Sequence, residues 1–339
     1  MPGMQTALPE RTPAAAAPAS ALLEVRGLAK EYVLRRGPFG GPRVALRAVD
    51  GVSFSVSPRE TLGLVGESGC GKTTIARMIP RLIEPSRGDI LFEGRSIVRE
   101  PESRMRPLRR AMQLVFQESS QAFNPRKTVA SSVGEGLLDG RVRDRAERRR
   151  LVDEALSRTG LDPALHGSRF PHELSGGERQ RAGIARALAV RPKLLICDEI
   201  ISSLDAPSAA EILRLLAELQ EERGHGAVFI SHDLGTVRHV AHRVAVMYLG
   251  RIVESGPTAA VYDAPHHPYT AALLESRPAD HPSKRRRRRA LGEAPGPDAV
   301  PSGCRFHTRC PRALDRCRAE DPPPQEVGPG HVSHCFLPR

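Results

Sequence analysis

The segment Gly66-Glu67-Ser68-Gly69-Cys70-Gly71-Lys72-Thr73 constrains this chain more than any other. It fits the pattern G-x-x-x-x-G-K-[ST], and its setting is the one that pattern needs. Before it, Thr61-Leu62-Gly63-Leu64-Val65 is an apolar run of strand length; after it, Thr73 to Ile83 has helical spacing. A strand that passes through glycines into a helix presents several backbone N–H groups to one anion. Glycine allows the curl because it has no Cβ. Lys72 can then bridge the β- and γ-phosphates, and the Thr73 hydroxyl can bind Mg²⁺. Gly66, Glu67, Ser68, Gly69, Cys70, Gly71, Lys72, Thr73 and Thr74 are therefore candidate nucleotide-binding residues. Cys70 also lies beside Lys72 and a helix start, features that lower a thiol pKa, so an alkylatable thiol protected by ATP is expected there.

The rest of the chain supplies a fold for such a loop. Residues 22–34 and 44–57 read as strands, the second with Val52, Phe54 and Val56 alternating with serines. Residues 100–190 are polar and mostly helical in pattern. Leu194-Leu195-Ile196-Cys197 and Ala227-Val228-Phe229-Ile230 read as buried strands, with an amphipathic helix at 208–223 between them. Val244–Leu249 and Arg251–Val253 suggest a hairpin turning at Gly250. Apolar strands alternating with helices imply an α/β domain with a largely parallel sheet. Hydrophobic residues make up 40 % and aromatics only 4 %, so the core must be aliphatic.

Two further segments carry chemistry. Asp198 and Glu199 close the strand Leu194–Cys197: one acid suits a Mg²⁺ shell, the next can polarise an attacking water. In Leu174-Ser175-Gly176-Gly177-Glu178-Arg179-Gln180, Ser175 can cap a helix, and the two glycines leave N–H groups unobstructed at its positive end. That is a second anion site, which one chain does not need for one γ-phosphate.

This last segment resembles the signature motif of the ABC ATPase family, whose members lay it over the ATP held by the opposite subunit. The resemblance implies the remaining assignments. Tyr32 falls where the family stacks an aromatic on adenine. Gln117 matches the glutamine that contacts Mg²⁺ and the attacking water. Ser203-Leu204-Asp205 matches the D-loop, and His232 the histidine that touches the γ-phosphate. A lone His or Tyr is ordinarily packing; six motifs in the family order carry the assignment. The implied catalytic residues are Glu199, His232 and Gln117, with Thr73, Gln117 and Asp198 around Mg²⁺ and Ser175, Gly176, Gly177 and Asp205 acting on ATP across a dimer. Where the family has a proline after the catalytic glutamate, this chain has Ile200, which predicts altered loop stiffness rather than lost catalysis.

Val49–Phe54, Gly63–Cys70, Phe170–Leu174 and His267-Pro268-Tyr269-Thr270 resemble the dipeptide/oligopeptide importer branch, which includes nickel and glutathione importers. The implied fold is a RecA-like P-loop core with an antiparallel β subdomain and a helical subdomain, plus a small Cys-containing C-terminal module. The expected division is a disordered tail at 1–21, an ABC ATPase domain at 22–262 with its helical subdomain near 118–185, and a C-terminal region at 263–339 with a basic Pro-rich linker at 278–301. The implied partners are two transmembrane permease subunits, a second ATPase subunit (identical or a paralogue) and, indirectly, an extracellular substrate-binding protein. The segment from Gln117 to Arg126 follows the branch loosely, and it is the region expected to face the permeases.

The formal charge is +12, but Lys284–Arg289 supplies six of those charges. Such a run is ordinarily a solvated linker, and nucleic acid is not an expected partner. A nucleic-acid ATPase and a phosphonate-processing ATPase are the competing readings. No apolar stretch of about 18 residues exists to span a bilayer, and no secretory signal is apparent, so the chain is expected at the cytoplasmic face of the membrane through its partners. Cys304, Cys310, Cys317 and Cys335 crowd the C-terminal end. Clustered thiols in a reducing compartment suggest a metal. Their wide spacing suits a [4Fe–4S] cluster better than zinc, and resemblance to some dipeptide-importer ATPases implies the same.

Overall fold

The computed structural model of the protein describes residues 21–35, 43–117, 123–138, 142–202, 204–276, 292, 294–296 and 299–338. The expected tail up to residue 20, Ser203 and the basic run Lys284–Arg289 lie outside the described residues. The described strands are β1 (Leu23–Arg35), β2 (Arg43–Val56), β3 (Thr61–Val65), β4 (Arg87–Phe92), β5 (Arg95–Ser96), β6 (Met112–Val115), β7 (Leu194–Asp198), β8 (Gly226–Ser231), β9 (Arg243–Tyr248), β10 (Arg251–Pro257), β11 (Gln325–Gly328) and β12 (His331–Ser333). The helices are α1 (Lys72–Met78), α2 (Glu102–Ala111), α3 (Val129–Val133), α4 (Glu135–Leu138), α5 (Arg145–Arg158), α6 (Pro163–His166), α7 (Gly176–Ala189), α8 (Ala206–Arg223), α9 (Leu234–Val240), α10 (Thr258–Asp263), α11 (Pro268–Glu275) and α12 (Arg316–Ala319).

The larger sheet runs β11-β12-β10-β9-β3-β8-β7-β6. From β9 to β6 its strands are parallel. Every residue of β3, β7 and β8 is buried, as expected for parallel strands covered on both faces. Side chains alternate between the two faces. Leu62, Leu64, Leu194, Ile196, Val228 and Ile230 join one core, shared with α1 and the smaller sheet. Leu195, Cys197, Phe229, Val244 and Val246 join the other, shared with α7 to α11. The smaller sheet, in the order β2-β1-β4-β5, is antiparallel. A third core packs α3, α4 and α5 on α7. Helix α7 faces two ways: Ala182, Ala185 and Ala189 enter this third core, while Ile184, Ala187 and Leu188 enter the second.

Three differences from the sequence reading have physical causes. The helix after the phosphate loop ends at Met78, short of the expected Ile83, because Pro80 has no N–H and Arg81 turns to φ 53°. Strand β6 lies inside the stretch read as helical; its burial is mixed, and pairing with β7 defines it. The C-terminal segment adds β11 and β12 to the larger sheet, where β12 pairs with β10 through Glu254 and Ser255. The hairpin at Gly250 forms as read, with Leu249 at φ 44° and Gly250 at φ 84°.

Candidate functional site

Four parallel strands, β3, β8, β7 and β6, are neighbours in the sheet. Each is followed by a candidate segment: Gly66–Thr73 after β3, Glu199 after β7, His232 after β8 and Gln117 beyond β6. Ligands of open α/β sheets bind outside these carboxyl ends. The sheet therefore gathers residues that are far apart in sequence.

The loop after β3 depends on glycine. Gly71 has φ 107°, and a Cβ there would lie 2.3 Å from the Ala48 carbonyl oxygen. As the N-cap of α1, Gly71 offers no side chain, so the first-turn N–H groups stay open to an anion. Lys72 is only 4 % exposed. Its Nζ donates to the Gly66 and Glu67 carbonyls at 2.8 and 3.0 Å and lies 3.7 Å from the Glu199 carboxylate.

Thr73 Oγ1 donates to Asp198 Oδ1 at 3.1 Å. Burial raises the Asp198 carboxyl above its ordinary value; the Thr73 hydrogen bond works against that shift, and the Glu199 charge adds to it. Beside it, Glu199 has φ 48°, an unusual backbone conformation of the kind that clusters at functional sites. Its N–H donates to the Ile230 carbonyl at 3.0 Å. Its carboxylate accepts from Gln117 Nε2 at 3.4 Å and meets His232 Nδ1 at 3.3 Å. Thus Lys72, Gln117 and His232 converge on Glu199, and Thr73 and Asp198 pair alongside. Hydroxyl and carboxylate oxygens suit Mg²⁺, which takes one or two carboxylates and completes its shell with phosphates and water. Bound there, the ion would neutralise phosphate charge. Ile200 is packed in the second core.

Other predicted residues stand in separate settings. Ser175 caps α7 in a reciprocal box: the Glu178 N–H donates to Ser175 Oγ at 3.3 Å, and the Ser175 N–H donates to the Glu178 carboxylate at 2.7 Å. Those bonds hold the Glu178 carboxyl below its ordinary value. Gly176 and Gly177 have open space where a Cβ would be. Asp205 caps α8, accepting from the Ser208 N–H at 2.8 Å. Tyr32 is on β1 opposite Leu46, with Lys30 Nζ 5.2 Å from its ring centroid.

Glu67 has partners that motif reading does not find. Its N–H donates to Tyr269 Oη at 2.9 Å, and its two carboxylate oxygens each accept from Arg309 at 2.8 Å. The only sequence signal is that Tyr269 belongs to the His-Pro-Tyr-Thr segment; nothing marks Arg309. The reactive Cys70 expected from its neighbours is overturned. The thiol is 3 % exposed, and burial outweighs the Lys72 charge, raising its pKa.

Cys304, Cys310, Cys317 and Cys335 are all free thiols. Burial raises Cys304 to about 11, and it also feels the charges of the other three. The four do gather, yet among the described residues no three His, Cys, Asp or Glu side chains are arranged to hold one metal ion. As placed, they do not fit a single zinc. Likewise, among the described residues no helix is long and apolar enough to cross a membrane.

The ABC transporter family matches residues 49–202, and the oligopeptide/dipeptide transporter C-terminal region matches residues 253–317. The oligopeptide transport ATP-binding protein AppF of Bacillus subtilis is 46 % identical over 93 % of this chain and 97 % of its own length. The di/tripeptide transport ATP-binding protein DppF of Pseudomonas aeruginosa is 44 % identical over 89 % of this chain and 93 % of its own. The ATP-binding cassette MJ0796, solved as a dimer in a post-hydrolysis state with ADP and Pi, superposes with a TM-score of 0.63 at 25 % identity, covering 70 % of this chain and 98 % of the cassette.

Proposed function

This chain belongs to the ATP-binding proteins of peptide ABC transporters, and from that premise we propose that it powers import of dipeptides or oligopeptides by clamping MgATP between two ATPase subunits. It is an ATPase, and its energy goes to transport. One observation carries the residue roles: Lys72, Gln117 and His232 all reach Glu199 at the carboxyl ends of four neighbouring parallel strands. In this reading Glu199 polarises the attacking water. Gln117 and His232 orient that water and the γ-phosphate, and Lys72 binds the β- and γ-phosphates. Thr73 and Asp198 hold Mg²⁺, and Tyr32 stacks on adenine. Ser175, Gly176 and Gly177 serve the partner's ATP, with Asp205 at the contact between the subunits.

Two permeases at the cytoplasmic membrane face are the proposed partners. A groove of about 270 Å³ in the helical layer, lined by Leu138, Arg145, Arg148 and Arg149, is a candidate seat for one of them. Reconstitution tests the whole reading. With cognate permeases in liposomes, hydrolysis should rise and peptide should accumulate. Stimulation by DNA with none by permeases would defeat it.

The cysteines form a finer part of the proposal. A cluster of iron and sulfide spaces its thiolates more widely than one metal ion does, and the gathering of four thiols supports it. Anaerobic protein should then hold about four iron and four sulfide per chain, lost in Cys310→Ser. Iron-free protein, or one zinc per chain, would remove this part and leave the ATPase reading intact.

A further inference from the structure

We propose that Arg309 and Tyr269 are positioning residues for ATP: from the C-terminal region they hold the Glu67 peptide, and with it the phosphate loop, in its nucleotide-binding shape. The inference rests on the nucleotide-site reading above.

The Glu67 peptide is gripped on both sides. Its N–H, in the Gly66–Glu67 peptide, is taken by Tyr269 Oη at 2.9 Å, and the Gly66 carbonyl of that same peptide accepts from Lys72 Nζ at 2.8 Å. Whatever fixes this peptide therefore fixes one anchor of the lysine that meets the phosphates. The Glu67 side chain is fixed as well, by both Arg309 Nη atoms at 2.8 Å. This two-pronged pairing sets direction as well as distance, which a single lysine contact would not do. Bond formation with Glu67 raises Arg309 further above its ordinary value.

Both holders are themselves rigid. Tyr269 is fully buried, and its ring packs on Tyr248 and Phe306 at centroid distances of 4.6 and 5.3 Å. Arg309 lies over Tyr248 and Phe306 at 5.6 and 5.8 Å and also donates to Tyr248 Oη at 3.2 Å. Its side chain is 7 % exposed, against 29 % for Glu67. Tyr248 ends β9, the strand beside β3, so the aromatic group is seated on the sheet that carries the loop. Arg309 and Phe306 come from the turn between Cys304 and Cys310, and Arg305 of the same turn pairs with Asp50 and the Leu249 carbonyl. A loop held this way is shaped before ATP arrives, and less ordering remains to oppose binding. The holders touch the peptide and not the reacting atoms, so they act on nucleotide affinity.

The test uses the full chain and separates affinity from turnover. Arg309→Gln should raise the MgADP Kd and the KM for ATP about tenfold, with kcat within about threefold of wild type. Arg309→Lys, which keeps charge and loses the fork, should fall between. Tyr269→Phe removes the acceptor and should raise KM about threefold. Glu67→Gln should match Arg309→Gln, and the double variant should be no worse than the poorer single, because one pairing is lost in each case. Unchanged Kd and KM in Arg309→Gln, multiplying effects in the double variant, or a fall in kcat with KM intact would overturn the proposal. If Arg309→Gln does not fold, Glu67→Gln attacks the same pair from its more exposed side and decides alone: a wild-type Kd there overturns it. Lys72→Ala is the separate control. Wild-type MgADP binding in that variant would sink the nucleotide-site reading itself.

Discussion

The mouth of the phosphate loop and the start of α7 both offer groups to phosphate, but in opposite conditions. At the mouth, every reactive side chain already has a protein neighbour: Lys72 and Glu199 form a pair, and Thr73 and Asp198 another. At the start of α7, Ser175 and Glu178 cap each other, Glu178 also meets His166 Nε2 at 3.2 Å, and Gly176 and Gly177 face open space. The first region is a site that one chain builds. The second is an open surface, which the proposed function assigns to a ligand held by a second ATPase subunit.

The sharpest way to break this comparison is Ser175→Arg. A long cation would fill the open space at Gly176 and Gly177. Hydrolysis should disappear while MgADP binding at Lys72 persists, and ATP should no longer produce a dimer on gel filtration. An active, dimerising variant would show that the two regions are not complementary halves. Next in size is Glu199→Gln, which should slow hydrolysis by about 10²–10⁴-fold, the usual contribution of a general base, while ATP still binds. Turnover within a few-fold of wild type would take that role from Glu199.

A smaller effect belongs to the helix start alone. Glu178→Ala removes half of the capping box and should cost about 0.3–1.5 kcal/mol, read as a lower Tm. Because the Glu178 carboxyl is held below its ordinary value of 4.5, its contribution is present above that pH and lost as the pH falls through the folded value. Variant and wild type should therefore converge in acid. A deficit that widened on acidification would contradict the box. The smallest effect is at Cys70, a gauge of how closed the mouth is. N-ethylmaleimide should label it slowly without nucleotide, since the thiol is buried and its pKa is raised. Rapid labelling blocked by MgATP would mean that the loop opens beyond the 3 % exposure of this thiol.

What the sequence reveals about this site follows from the range of each interaction. The phosphate loop, the acids after β7 and the cap of α7 are local patterns, and their spacing alone exposes them. The parallel strands show through their apolar runs. By contrast, the Arg309–Glu67 pair joins residues 242 positions apart, and Tyr269 meets Glu67 across 202. No periodicity marks either contact; only folding brings them together. Cys70 was misread for a related reason. The sequence shows its charged neighbour, Lys72, but not the burial that outweighs that charge. Strand β6 was missed because its residues become a strand through pairing with β7 rather than through their own pattern.

The placement of β12 against β10 has a consequence for how the protein is made. Synthesis runs from the N-terminus, and domains tend to fold as they emerge. Until residues 325–333 have left the ribosome, β10 is an open edge with unpaired backbone groups, the kind of edge that invites pairing with another chain. The same delay leaves Glu254, fully buried in the finished fold, without His331 Nε2 at 2.8 Å, although the N–H groups of His266 and His267 can already reach it. A nascent chain halted before this point carries the whole phosphate loop yet leaves β10 without its partner strand. Emergence of β12 is thus a checkpoint on pairing of this edge, because β10 finds its partner strand only then.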